Sequence, residues 1–388
     1  MSSKVTSITE VRAAARRRAE RVKSNGRTVT FLLVAVAVLI VIGLAATISA
    51  SSTVGITRRG GDQYYFLKRQ LLGVGIGTIG LVIMSRVPYR IYRKVAMPAF
   101  FATLALLVVV LMVGAEEGGG RRWLLVGPFS IQPSEIAKLT VILAFATILE
   151  RKQKLLGDLG HFLGPLALIL VPIGFLVMKQ PDLGTAIILG VASLAVIFVS
   201  SAPMRFVVGS AGVGGAVAVG LALSDQYRLD RITGFMDPWA DAADTGYQLI
   251  QSYYALGTGG LTGVGLGASR ARWSYLPNAH TDFIFSIIGE ESGFIGGILV
   301  IGLFAIVAAS GWIIASRAPD QFGRMIATGI TAWISVQAIV NIGGVLGVMP
   351  ITGITLPFVS YGSSAVIVTM AALGVLVNIA HEGSTAKR

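Results

Sequence analysis

Read from the N-terminus, the chain alternates long apolar runs with short polar connections. The runs lie at roughly 28–50, 68–85, 95–114, 134–149, 163–179, 184–201, 205–224, 283–316, 323–348 and 354–380. Most approach the roughly 20 apolar residues with which a helix crosses a hydrocarbon core, so the pattern predicts about ten transmembrane helices. The run 283–316 exceeds one crossing, and a break inside it is expected. An even number of crossings puts both termini on one side. The expected architecture is an all-α, polytopic integral membrane protein with a large loop, 225–282, between the seventh and eighth helices.

Charge assigns the sides. Only 13% of the 388 residues are charged and 54% are hydrophobic, against about 25% charged in soluble proteins. The net charge of +13 therefore reads as a topological bias and not as a nucleic-acid footprint. Residues 1–27 are strongly basic, and "RVPYRIYRK", "ERKQKLLGDLGH" and "SRAPDQFGR" fall on the same side. Loop 225–282 has only Arg228, Arg231, Arg270 and Arg272. Both termini are expected in the cytoplasm and the long loop outside. The chain thus divides into a basic cytoplasmic segment 1–27, attracted to anionic membrane lipids, a membrane domain 28–381 and a short tail 382–388. The chain has no cysteine, which excludes disulfides, thiolate metal sites and a cysteine nucleophile. Tyr247, Ile250 and Tyr254 recur at helical spacing inside the long loop, so part of it should be ordered.

Polar residues near the apolar runs carry the candidate chemistry. In "GGGRRWLLVGPFSIQPSEIAKL", Gln132-Pro133-Ser134 reads as a helix start and Glu135 suits its first turn. Lys138 shares a face with Glu135. The pair is either an internal ion pair or, with Arg121 and Arg122, part of a cationic site for an anionic headgroup. A charge one turn inside a span normally faces a cavity and favours the second reading. Arg58, Arg59 and Arg228 read as snorkelling side chains. Asp182 in "KQPDLGTA" reads as a turn or helix-cap residue. Toward the end, "NIGGVLGVMPITGITLPFVSYGSS" interrupts two spans with Gly, Pro and Ser. Such breaks are tolerated where protein buries them or where they line a wet cavity, with Asn341 and the Ser360-Tyr361-Gly362-Ser363 run as candidate lining residues. For the glycines and serines, small-residue helix packing with interhelical hydrogen bonds is the favoured reading.

The densest feature is "LPNAHTDFIFSIIGEE". Asp282 follows His280 and Thr281 at the outer mouth of the eighth helix. There it can act as a general base on a substrate supplied from outside, partial desolvation raising its pKa, or it can cap the helix. Glu290 and Glu291 lie two turns deeper. One of them is expected to pair with a basic residue or to keep its proton, in a structural or charge-tuning role.

These motifs, in this order and spacing over residues 65–380, resemble the SEDS family (shape, elongation, division and sporulation). "LPNAHTDFIF" and "LPFVSYGSS" are more similar to its cell-division branch than to its elongation branch, with the sporulation branch close by. Ser292 departs from the bulky apolar residue usual there. The resemblance implies ten helices and a peptidoglycan glycosyltransferase that polymerises lipid II at the outer face of the bacterial inner membrane. It places the essential acid on Asp282 and the functional basic positions on Arg122 and Lys138, with Glu135 alongside. It also implies a class B penicillin-binding protein, an FtsI-like transpeptidase, as partner, together with division regulators at the septum.

On this reading Asp282 takes the proton of the attacking sugar hydroxyl, with inversion at the donor carbon. The pyrophosphate leaving group needs charge stabilisation more than a proton. Arg122, Lys138, Arg121 and Arg69, or a divalent cation (Mg or Mn), could supply it. Gln248, His280 and Ser363 are further candidates for binding substrate. A lipid II flippase, an elongation glycosyltransferase and a scaffold for the transpeptidase remain alternative readings.

Overall fold

The computed structural model describes residues 8–58, 61–117, 120–127, 129–269, 276–277 and 279–385. Of the residues discussed above, Arg59, Arg270 and Arg272 lie outside the described residues, as do the ends of the two terminal segments. Twelve α-helices account for most of it: α1 (Ile8–Arg58), α2 (Tyr65–Arg86), α3 (Tyr92–Val113), α4 (Pro133–Arg151), α5 (Leu159–Met178), α6 (Leu183–Phe198), α7 (Met204–Leu223), α8 (Gln226–Met236), α9 (Tyr247–Gly259), α10 (Ile284–Ser316), α11 (Gln321–Val345) and α12 (Ser363–Thr385). Eight helices among the described residues are long and apolar enough to cross a membrane. Two more coincide with predicted spans but fall short of that measure. The α4 helix carries Glu135, Lys138, Glu150 and Arg151 within nineteen residues, and α6 is only sixteen residues long. The chain is an all-α polytopic membrane protein.

Two regions depart from the sequence expectation. Residues between α3 and α4 form a small antiparallel sheet, β1 (Ala115–Glu117), β2 (Gly120–Val126) and β3 (Phe129–Ile131), in the order β1-β2-β3. The stretch expected as the start of the tenth span is instead irregular backbone, and α12 begins only at Ser363. Gly347, Gly353 and Phe358 have positive φ there. Buried side chains occupy the polar groups this irregularity frees, as a span without water requires. Asn341 Nδ2 donates to the Asp282 and Ile354 carbonyls at 2.8 and 2.7 Å. Gln337 Nε2 donates to Thr355 O at 2.9 Å. Gln70 donates to Ser360 O at 3.1 Å and accepts from the Gly362 amide at 3.0 Å.

Close helix contacts occur where side chains are small. Gly73 and Gly77 of α2 face Ser363 and Met370 of α12, and Gly374 of α12 faces the Leu81 backbone of α2. Reciprocal small residues let two helices approach where no water drives them together. The α4 helix is enclosed almost from end to end, while α7 stands at the periphery, its apolar window only 6% buried. At the end of the bundle bearing the basic connections, Arg93 bridges Glu150 of α4 and Asp320 at 2.6 and 3.1 Å. Asn25 donates to Ala380 O at 3.1 Å, fastening α1 to α12.

The expected break in the long eighth span falls at Gly293, with φ 66° and ψ −163°. The Gly-rich segment after α9 lies against it. Val264 N and Gly265 N donate to the Glu290 and Glu291 carbonyls at 3.0 and 3.1 Å, and Phe294 N and Ile295 N donate to the Gly260 and Leu261 carbonyls at 2.9 and 3.2 Å. The loop thereby completes the helix it interrupts. Gly263 has φ +84°, and a Cβ there would lie 2.0 Å from Glu291 O. Gly263→Ala is therefore expected to lower the melting temperature by several degrees, on the order of 1–3 kcal/mol of backbone strain, measured by thermal unfolding in detergent. A Tm equal to wild type would show that the loop and the break are not packed as described.

Candidate functional site

The site is built where four segments meet at one end of the bundle. These are the start of α10, the turn between α5 and α6, strand β2, and the irregular 351–354 segment with α8 lying over it. The last residues before α10 place Asp282 on a narrow cavity lined by Phe283, Asn341, Gly344, Ile351, Thr352 and Gly353. Its accessible space is about 10 Å³, enough for about one water molecule. Asp282 is not the cap of α10; that position is Phe283, and no side chain among the described residues caps it.

Asp282 sits in a field of mixed sign. Burial pushes its pKa up to about 6, against the pull of Arg231, a hydrogen bond from Thr281 and the charge of Arg122, while Asp182 pushes the same way as burial. Arg231 reaches in from α8, its Nη1 donating to Ile351 O at 3.3 Å. A Cβ placed on Gly353 would lie 3.6 Å from both Arg231 Nη1 and Asp282 Oδ2. Gly353, φ +71°, thus leaves the gap between acid and guanidinium open. Sequence reading did not single out Arg231 or Gly353. Arg231 stood among the arginines of a long loop, and only folding of α8 brings it to Asp282.

Alternation along β2 separates the arginine pair, since successive strand residues face opposite ways. Arg122 Nε donates to Gln180 O at 2.7 Å and its Nη2 to Pro181 O at 2.8 Å, clasping the α5–α6 turn. Arg121 is exposed on the other face, 3.9 Å from Glu116. Only Arg122 turns toward Asp282. In the clasped turn, Asp182 Oδ1 accepts from the Thr185 amide at 3.0 Å and caps α6. Gly184 packs on the Ile354 side chain and Thr352 O, so "QPDLGT" and "ITGIT" abut.

Lys138 is enclosed. It is 1% exposed, 2.7 Å from Glu135, donates to Gln337 Oε1 at 2.9 Å, and lies 5.1 Å from the Trp333 ring centroid. Trp333 Nε1 donates to the same Gln337 oxygen at 2.7 Å. The expectation that Lys138 faces an open cavity is corrected by this geometry, because its donors are already directed at protein acceptors. Through Gln337 and Thr355 the cluster supports the segment that carries Gly353.

His280 likewise packs rather than opens to a ligand. Its ring lies 4.7 Å from Phe66 and 5.8 Å from Tyr361, and burial pushes its pKa down to about 4, so it is neutral near pH 7. Arg69 stacks over Tyr65 at 4.7 Å, and Ser363 donates to its carbonyl at 3.2 Å. Both belong to the α2–α12 seam. Gln248 is half-buried on α9. The two glutamates part company. The Ser269 hydroxyl donates to Glu290, and Ser49 of α1 donates to Glu291. For Glu291 the partner is thus a hydroxyl of α1.

Among the described residues no group of three or more His, Asp or Glu side chains could hold a metal ion. The donors of a divalent cation would have to come mainly from substrate phosphate and water.

Comparison with known proteins extends over nearly the whole chain. The profile of the cell cycle protein family FTSW_RODA_SPOVE matches residues 29–385. The chain is 42% identical to stage V sporulation protein E of Bacillus subtilis, covering 90% of this chain and 95% of that one. It is 39% identical to a probable peptidoglycan glycosyltransferase FtsW of Trichlorobacter lovleyi, covering 90% and 92%. Among solved structures, a chain in "Structural coordination of polymerization and crosslinking by a peptidoglycan synthase complex" superposes with a TM-score of 0.74 at 30% identity, covering 91% and 97%. The rod shape determining protein RodA of Thermus thermophilus superposes with a TM-score of 0.65 at 29% identity, covering 90% and 96%. The chain belongs to the FtsW, RodA and SpoVE family of cell cycle proteins.

Proposed function

We propose that the chain is a peptidoglycan glycosyltransferase that polymerises lipid II at the outer face of the bacterial inner membrane during septal wall synthesis. The observation that carries this reading is Asp282, a carboxylate on a narrow cavity facing Arg231 across Gly353. The positive-inside distribution supports ten crossings with cytoplasmic termini, which turns Asp282 and the 225–282 region outward. Relatives that carry the glycosyltransferase name share over a third of their residues with this chain.

The mechanism follows from the charges. The acceptor sugar hydroxyl must lose its proton as its oxygen attacks the donor anomeric carbon. Asp282 receives that proton, and a base with a pKa of about 6 is matched to work near neutral pH. Attack from the face opposite the pyrophosphate inverts the anomeric carbon. Arg231 stabilises the pyrophosphate as charge develops on it. Arg122 positions the α5–α6 turn and adds positive potential. A magnesium or manganese ion, held by substrate phosphate and water, would add the same kind of stabilisation. The Glu135–Lys138–Gln337 cluster holds the 351–355 segment beneath the reacting groups. Membrane lipids surround the bundle. A class B penicillin-binding protein is the proposed partner, on the family resemblance and by analogy with the synthase complex, with division regulators acting through it.

The test is incubation of the purified chain and its transpeptidase with lipid II in liposomes, resolving the products. Glycan strands are expected; lipid II moved across the bilayer without polymerising would replace the enzyme with a transporter. In the same assay the rate should fall about tenfold per pH unit below about 6, because protonated Asp282 cannot accept the hydroxyl proton. A rate flat from pH 7 to pH 5 would remove a titrating base from the mechanism.

A further inference from the structure

A second cavity lies at the other end of the bundle, toward the ends of α6 and α10 far from Asp182 and Asp282. It is an open apolar groove of about 400 Å³ between α6, α7, α10 and α11, lined by Leu194, Phe198, Val207 and Trp312, of which Phe198 and Trp312 are more than half exposed. Its polar exceptions are two threonines of α11. Thr331 donates to the Ala327 carbonyl at 2.7 Å. Thr328 is 8% exposed, and among the described residues its hydroxyl has no partner. Arg324 stands one turn before Thr328 on the same helix face, with a buried Nε that also has no partner among the described residues. Gln321, a turn earlier still, donates to Val199 O at the end of α6, which turns this face of α11 toward the cavity. The nearest acid on α11's approach, Asp320, is engaged by Arg93 and by the Gly323 amide.

We infer that this cavity binds one acyl chain of an anionic glycerophospholipid, with its phosphate at Arg324 and an ester carbonyl at Thr328. Three features meet in that ligand. The guanidinium is a phosphate donor. Thr328 is four residues deeper, about 6 Å along the helix axis, where an ester carbonyl follows a phosphate in the bilayer. Beyond both lies a volume that only hydrocarbon fills without leaving polar groups unpaired. The basic connections at this end of the bundle are those that anionic headgroups attract. The site is separate from the proposed catalytic carboxylate and does not depend on the reaction assigned to it.

Native mass spectrometry of the full-length chain, purified in detergent and given equal amounts of phosphatidylglycerol and phosphatidylcholine, tests the assignment. Wild type is expected to retain one phosphatidylglycerol that Arg324→Gln binds about tenfold more weakly. Ala332→Leu, which fills the cavity from its apolar side without touching the arginine, should lose the same lipid. Ether-linked phosphatidylglycerol should bind wild type less well than the ester form but bind Thr328→Val equally. Equal retention by wild type and both Arg324→Gln and Ala332→Leu overturns the site, as does equal retention of phosphatidylcholine. An isoprenyl phosphate that displaces the ester lipid from wild type and Thr328→Val alike overturns the glycerophospholipid assignment. Thermal unfolding of each variant separates loss of the lipid from loss of the fold.

Discussion

Asp282→Asn is expected to leave the protein folded and to reduce glycan polymerisation by about 10²- to 10⁴-fold, the contribution of a positioned general base. The two halves of that expectation come from one feature. Burial raises the pKa of Asp282, so the folded state carries its charge at a cost. Asparagine is nearly isosteric with the protonated acid and removes the cost, so the melting temperature should match or exceed wild type. A residue whose role was to cap α10 would behave in the opposite way, losing stability with the charge, but Phe283 occupies the cap. The measurement is polymerisation of lipid II by the variant with its partner present, alongside thermal unfolding of both proteins. A folded variant that polymerises at the wild-type rate would take Asp282 out of the reaction.

Lys138→Ala should act through stability first. Removing the lysine leaves Glu135, 5% exposed, without its ion pair, and strips Gln337 of one donor. Breaking one side of a buried pair costs about 3–5 kcal/mol, because the remaining charge cannot reach water. The paired change Glu135→Leu with Lys138→Met removes both charges and should recover most of the lost melting temperature. Polymerisation is expected to stay low in the double variant, since Gln337 then lacks the lysine that holds it against Thr355 and the 351–355 segment. If the single variant melts like wild type while activity falls, Lys138 contacts substrate directly and the enclosed cluster opens during turnover. If the double variant recovers full activity, the cluster serves stability alone.

The acidic and the basic residues of the site were legible to different degrees, for a physical reason. Hydrophobic run length is a local property, so the helices and the break in the eighth span could be read from the pattern alone. The motifs "LPNAHTDF" and "QPDLGT" also stood out locally, which made Asp282 and Asp182 visible. The orientation of a lone cation is not local. Arg121 and Arg122 are neighbours in the chain, and only the strand that carries them separates one to solvent and the other to the α5–α6 turn. Lys138 looked like a charge in search of an anionic ligand because its partners Gln337 and Trp333 lie nearly two hundred positions away.

By itself the sequence determined that the chain is a membrane-embedded helical bundle, which end carries the basic connections, and which carboxylate stands at the start of the long broken helix. Those follow from hydropathy, from charge counting and from the expense of a carboxylate in hydrocarbon. Only the tertiary structure decided that Arg231 and Gly353 frame Asp282, that Lys138 is closed in, and that α12 starts late behind irregular backbone. Each of those depends on contacts between segments distant in the chain, where backbone groups freed in one place are satisfied by side chains from another.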